Sequence, residues 1–219
     1  INTDLHVLYN PYTSYNYYLN IAFMPMALQI MVMIMAVYTF GLVLKHRKGK
    51  ELLEFANDNV YAVIFGKILP YTIIFCALGF LMNALLYYKI GTPLKGSFLG
   101  VNLIFFAFVI VLQSVGLFIA SITTSFRTAL TIGGDYAALA FSFAGYTFPA
   151  LGMSTFVQYL CYIFPFTSYM RFIVDFAIRG ISFNEEQKGY AIGFAIFAIL
   201  GVIGIPLYNK KLKKGGYDA

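Results

Sequence analysis

The chain has 219 residues, of which 60% are hydrophobic and only 11% charged, against about 25% charged residues in an ordinary soluble domain. That balance excludes a soluble globular domain and indicates an integral membrane protein. The net charge of +6 would suit a nucleic-acid binder, but the basic residues stand beside apolar runs, where they report membrane orientation, so no nucleic-acid partner is expected.

The chain opens with Ile1 rather than Met, which leads us to expect a piece of a longer protein. Residues 1–20, with the Tyr-rich stretch HVLYNPYTSYNYYLN, read as an extracytoplasmic lead-in onto the membrane. Trp is absent, so the 18 tyrosines supply the interfacial aromatic belt. Five runs are long enough to cross about 30 Å of hydrocarbon as helix. They cover residues 21–44, 68–87, 98–122, 129–150 and 189–208, so that 21–208 forms one transmembrane domain and 209–219 a cytoplasmic tail. Uninterrupted apolar runs exclude a barrel, whose strands alternate. Between the last two runs, residues 154–180 are too polar for a free span and too apolar for a loop. Pro165 splits them into two short helices, which fits a re-entrant pair on the outer side.

Lys and Arg in the short loops fix the orientation. With the N-terminus outside, the inner side holds Lys45, Arg47, Lys48, Lys50, Lys67, Arg127, Lys210, Lys211, Lys213 and Lys214. The outer side holds Lys89, Lys95, Arg171, Arg179 and Lys188, so the balance is ten to five and the C-terminus is cytoplasmic.

No catalytic motif is present, and the chain is not expected to be an enzyme or to bind a cofactor or metal. The Gly66-Lys67 pair lacks the second Gly and the Ser or Thr of a phosphate loop, because Tyr61 and Ile68 occupy those places. Lys67 reads instead as an anchor at the cytoplasmic start of the second span, with Lys45, Arg47 and Lys48 anchoring the end of the first. Pro70 then falls in the first turn, and Gly66 permits a turn or close packing. His6 and His46 stand alone, and Cys76 and Cys161 read as buried free thiols.

Residues 48–59 form a short amphipathic helix at the inner surface. Leu52, Leu53, Phe55 and Ala56 fall on one side of the wheel, and Glu51, Glu54 and Asp58 on the other. One reading is an interfacial anchor whose cationic lead attracts anionic lipid. The other is a docking handle, since acids gain nothing against an anionic membrane. Asp135 is the one acid well inside an apolar run; it reads either as an inner-rim residue paired with Arg127 or Lys67, or as a functional group. Gln29, Asn83, Asn102 and Gln113 read as interhelical hydrogen-bond glue, Gly189 and Gly193 as a packing pair, and Arg171 with Asp175 as an i,i+4 ion pair.

The ordered set of parts resembles the membrane subunit of bacterial ATP-binding-cassette exporters, the type-2 permeases with a large extracytoplasmic insert after the first span. The resemblance is carried by LYNPYTSYNYYLN before the first run, by RKGKELLEFANDNVYAVIFGKILPY, and by FPALGMSTFVQYLCYIFPFTSYMRFIVDFAIRG, over residues 7–214. The family's Arg-Glu-x-Glu appears here as Lys45-His46-Arg47-Lys48, and Lys50 stands where Thr is common. The resemblance implies an all-α permease, without its first span and insert, in the bacterial inner membrane. It further implies pairing with a second permease subunit and docking to a separate cytoplasmic ATPase that binds the ATP and Mg. Glu51, Leu52, Glu54, Phe55 and Asp58 would then carry ATPase coupling, and Pro149 and Pro165 would shape an outer gate. The expected function is export of an amphipathic or lipid-like substrate. The alternatives are an ion-coupled secondary transporter or channel using Asp135, or a membrane scaffold without transport.

Overall fold

The computed structural model describes residues 15–144, 152, 154–181 and 185–217, and every regular element among them is helical. The lead-in residues 1–14 and Pro149 lie outside this set. In chain order the helices are α1 (Tyr15–Lys45), α2 (Gly49–Phe55), α3 (Val60–Ala84), α4 (Phe98–Ile122), α5 (Phe126–Phe143), α6 (Thr155–Cys161), α7 (Pro165–Ile173) and α8 (Glu185–Lys214). π-Helical turns extend α3 over Leu85–Lys89 and α7 over Val174–Arg179.

Four helical stretches are long and apolar enough to span a bilayer: Leu19–Lys45, Val60–Lys89, Phe98–Ile122 and Gln187–Lys214. The fourth expected run, 129–150, overlaps α5, whose 18 described residues reach about 27 Å at 1.5 Å per residue. The bundle is built around α4. Its most apolar window is 67% buried, against 28% for α3 and 22% for α8, which therefore turn most of their apolar surface outward. Those outward faces, with Phe65, Ile73, Leu81, Ile196 and Val202 exposed, suit acyl chains.

Without a hydrophobic drive between helices in lipid, close packing and buried polar bonds hold such a bundle. Gly116 of α4 meets Ala36 of α1, and Gly201 and Gly204 of α8 meet Ser114 and Phe118 of α4. The four span amides do bridge helices. Asn83 Nδ2 donates to Asn102 Oδ1 at 3.1 Å, Thr72 Oγ1 donates to Gln113 Oε1 at 2.9 Å, and Gln29 Nε2 donates to the Ala137 carbonyl at 2.8 Å. Of the Gly189/Gly193 pair only Gly193 packs closely, against Ser168.

α7 plunges into the bundle, with Phe166, Tyr169, Met170 and Ile173 buried and the Tyr169 ring stacked on Phe108 at 4.4 Å. Pro165 occupies its first turn, where a missing amide donor costs least. The turn from α6 to α7 leaves carbonyls that need donors. Tyr136 Oη donates to Ile163 O and Thr167 Oγ1 to Cys161 O, each at 2.6 Å. Arg171 does not pair with Asp175 as expected. The Asp175 carboxylate is turned inward, where it accepts from Arg179 and from Tyr190 Oη, both at 2.9 Å. Arg171 reaches back instead to the Tyr162 hydroxyl at 2.8 Å. Cys76 and Cys161 are both free thiols, Cys76 only partly buried.

The element order sorts the cations to opposite ends of the bundle. The last turns of α1 and α8 and the first of α5 share one end with α2; Lys89, Lys95, Arg179 and Lys188 share the other with α7. Two corrections concern the second span. Its helix starts at Val60 and not near Ile68, so Lys67 lies two turns inside it, and Pro70 is interior. Gly66 makes no turn and no close contact: a Cβ there would meet nothing within 4 Å. The physical reason is that Pro70 removes the hydrogen bond to the Gly66 carbonyl, and the open position leaves that carbonyl to solvent.

α2 and α8 meet backbone against backbone. A Cβ on Gly49 would lie 2.7 Å from the Leu212 carbonyl oxygen and 2.8 Å from its Cα. Backbone atoms on both sides cannot yield as a side chain can. Gly49→Val should therefore destabilise the chain by about 1–3 kcal/mol, while Gly66→Val should stay within about 0.5 kcal/mol. Thermal exposure of the Cys161 thiol to a maleimide dye in detergent measures both; equal melting temperatures for the two variants would refute the packing assignment.

Candidate functional site: the α2 end of the bundle

The local sequence makes α2 by interrupting a longer helical run twice. α1 ends in a reverse turn in which Lys48 N donates to Val43 O and Arg47 N to Leu44 O, both at 3.3 Å. Arg47 takes the left-handed conformation, φ 55°, in the place where glycine is usual. The same pattern closes α2. Asp58 N donates to Leu53 O at 2.9 Å and Asn57 N to Glu54 O at 3.1 Å, with Asn57 at φ 52° and Asp58 at φ 59°. Asn59 then starts α3, its Oδ1 accepting from Tyr61 N at 3.0 Å and Ala62 N at 3.2 Å. Two left-handed turns thus fix a seven-residue helix at a set angle between two long ones.

Below α2 the bundle is closed by contacts between chain segments far apart in sequence. Leu53 is buried with Leu44, Val63, Tyr208 and Leu212. Tyr208 Oη donates to Phe40 O at 3.2 Å, and Tyr217 N donates to Leu44 O at 3.2 Å. Tyr217 Oη donates to Ala120 O at 3.3 Å, burial pushes that hydroxyl above its ordinary pKa, and Lys211 Nζ donates to the Thr123 carbonyl. The tail therefore packs back onto the ends of α1 and α4.

The expected coupling residues divide by exposure. Glu51, Glu54 and Asp58 face outward, and Leu52 is half-buried. Phe55 is 89% exposed, so of the apolar side of the wheel only Leu53 is buried. The buried line is Gly49 and Leu53, one turn apart, and Phe55 lies two residues on, roughly 200° around the axis. α2 therefore presents an aromatic ring between carboxylates to whatever lies beyond the bundle. Of the anchor residues, Lys45, Arg47 and Lys48 are exposed and Lys67 is half-buried, with Lys45 Nζ 5.0 Å from the Phe126 ring centre.

A cavity of about 370 Å³ opens between the last turns of α1, the α1–α2 turn, α2 and α3. Leu42 and Val43 of α1 and Leu52 of α2 give it apolar walls. His46, Lys48, Glu51 and Lys67 bring charge and polarity to it. Sequence reading set Lys67 apart as a lone anchor and His46 as a lone surface residue. The Asn57-Asp58-Asn59 triplet is a turn signal that could have moved the start of α3 forward and shown that Lys67 shares a site with α2.

Asp135 sits in the middle of α5 on its outward face, exposed, with Thr131, Ile132, Ala138 and Leu139. Among the described residues it forms no ion pair, which corrects the expected pairing with Arg127 or Lys67. Arg127 lies eight residues back, about 12 Å along the axis, and Lys67 belongs to α3, which packs on α1 and α4. Pro165 is buried at the head of α7.

Among curated proteins, none matches the chain. A family model described as ABC-2 family transporter protein matches residues 1–207. An all-helical bundle with four span-length apolar helices and a short surface helix between the first two agrees with that match in architecture. The chain belongs to the ABC-2 family of transporter proteins, as a multi-pass membrane permease component.

Proposed function

We propose that the protein is the permease of an ATP-driven exporter, docked through α2 to a separate cytoplasmic ATPase that carries ATP and Mg. The observation that carries this reading is the outward face of α2: Phe55 almost fully exposed between Glu51, Glu54 and Asp58, on a helix braced from below by Gly49 and Leu53. An exposed aromatic ring flanked by acids is unfavourable against an anionic headgroup layer and suits a protein groove with basic rims. Bracing gives the coupling direction. A push on α2 is transmitted through the Gly49–Leu212 approach to α8, and through the two turns to α1 and α3.

In this reading the α2 end is cytoplasmic, in the inner membrane of a bacterium, which the ten-to-five cation split supports. α5 completes a fifth span, and α6 with α7 forms a re-entrant pair on the outer side. The hydrogen bonds from Tyr136 and Thr167 support that arrangement, since non-helical backbone at membrane depth must be satisfied by protein. The outward face of α5 supports pairing with a second permease subunit, identical or paralogous. A carboxylate facing acyl chains costs several kcal/mol, so Asp135 belongs against protein or a water-filled path. A path between two such faces would suit an amphipathic or lipid-like substrate moving outward.

The unpaired Asp135 favours one second reading, an ion-coupled transporter in which that carboxylate carries the ion. Two variants separate the readings. Glu51→Lys with Glu54→Lys should abolish permease-stimulated ATPase activity, leaving insertion into the membrane intact; wild-type stimulation in that double variant sinks the docking assignment. Asp135→Asn keeps a polar amide that a subunit interface tolerates, and should retain export within about threefold, a cost below ~0.7 kcal/mol. Complete loss of export in Asp135→Asn, with normal ATPase stimulation, would favour ion coupling.

A further inference from the structure

The cavity beneath α2 has a composition that coupling does not use. Its walls are apolar, and its charged side chains are two lysines and one glutamate, with His46 and Thr39 beside them. Among the described residues, none of His46, Lys48, Lys67 or Glu51 makes a hydrogen bond or an ion pair through its side chain. Two lysines and a histidine surround one carboxylate, and Glu51 sits on α2, whose outward face carries the other acids. In a closed protein surface, cations gathered beside so few anions repel each other, and an anionic ligand would remove that cost.

The depth of the cavity identifies the class of ligand. Between Lys67 and Lys89 lie residues 68–88, 21 in number, which as helix reach about 31 Å. Between Lys188 and Lys210 lie residues 189–209, again 21, and again about 31 Å. Both lengths match the hydrocarbon thickness of a bilayer. Lys67 and Lys210 therefore mark one hydrocarbon border. The first two turns of α3, from Val60 to Gly66, project beyond it by about 10 Å, and His46 and Lys48 follow the last residue of α1, Lys45. The cavity is lined by Lys67 at this border and by His46 and Lys48 beyond the end of α1, which puts it at the headgroup level, with Leu42, Val43 and Leu52 leading toward the acyl chains.

We propose that this cavity is a binding site for one anionic phospholipid of that leaflet. Its phosphate is held by Lys67 from below and by Lys48 and His46 from above, and the start of its acyl chains lies along Leu42, Val43 and Leu52. The bound lipid links the α1–α2 turn to α3 and fills the space under α2 that Gly49 and Leu53 leave on the side away from α8. A soluble phosphate would gain the cations but not the apolar walls, and a zwitterionic lipid would bring its own cation among the lysines. The site requires only that the chain crosses a bilayer; Glu51 and Phe55 stand at its rim and are shared with the proposed docking face, whereas Lys48, Lys67 and His46 belong to the cavity alone.

Native mass spectrometry of the full chain, released from micelles containing equal phosphatidylglycerol and phosphatidylcholine, tests this without nucleotide or partner. The wild type should retain one phosphatidylglycerol per chain in preference to phosphatidylcholine. Lys48→Gln and Lys67→Gln should each weaken that retention about tenfold, the loss of one charge-assisted contact. Lys67→Arg should restore it, which controls for folding. Lys45→Gln and Lys50→Gln remove the same charge outside the cavity and should leave retention unchanged. Equal losses in all four Gln variants would mean diffuse attraction to a basic surface and would overturn the site. Displacement of the lipid by excess inorganic phosphate would overturn it in favour of a soluble anion.

Discussion

The close approach of Gly49 to the Leu212 backbone sets the geometry on which the α2 end depends. It joins residues far apart in the chain, so the surface helix is held by the last helix as well as by its own neighbours. Any side chain at position 49 would lift α2 away from α8. That would separate Leu53 from Leu212 and open the cluster of Leu44, Val63 and Tyr208 beneath it. The contact is local, but it fixes the angle at which Glu51, Glu54 and Phe55 leave the bundle.

The two left-handed turns complete the constraint. A non-glycine residue at positive φ costs of order 1 kcal/mol or more, and Arg47, Asn57 and Asp58 all adopt it. Asn and Asp carry that cost most easily. Arg47 does not, and its retention of the left-handed geometry reflects the bonds around it: Val43 and Leu44 carbonyls on one side, Tyr217 N on Leu44 O on the other. The short helix is over-determined, with a strained turn at each end and a glycine contact at its base. Such an element is held as a rigid piece, which suits the docking role proposed for it.

Much of this was legible from the chain alone. Long apolar runs give span-length helices because lipid leaves the backbone no other partner, and the observed α1, α3, α4 and α8 overlap the expected runs closely. The amides of Gln29, Asn83, Asn102 and Gln113 were legible for the same reason, as polar groups that must find one another. What failed was whatever depended on direction around a helix or on tertiary choice between equals. A wheel drawn through residues 48–59 averages over ten or more residues, whereas α2 has seven, so it groups Phe55 with Leu53, of which only Leu53 is buried. Asp175 had Arg171 and Arg179 at equal spacing in sequence. The inward turn of its carboxylate toward Tyr190 decided between them, and spacing carries no such information. Lys67 reads as an anchor at the start of its span, whereas the helix begins two turns earlier, at Val60.

That last misreading has a physical content of its own. A transmembrane helix that began at its lysine would leave no wall above the headgroup layer. Because α3 runs two further turns, from Val60, Lys67 lies within the helix and faces the cavity shared with the α1–α2 turn. The break in hydrogen bonding between Pro70 and the Gly66 carbonyl falls at this border, where water and headgroups can supply the missing donor; one turn deeper, in hydrocarbon, the same break would cost several kcal/mol. The projecting turns of α3, the open glycine and the half-buried lysine are therefore one arrangement. In the proposed lipid site they make the border of the membrane part of the protein's own surface, so that under the docking reading force arriving at α2 would act on a helix whose footing includes the lipid.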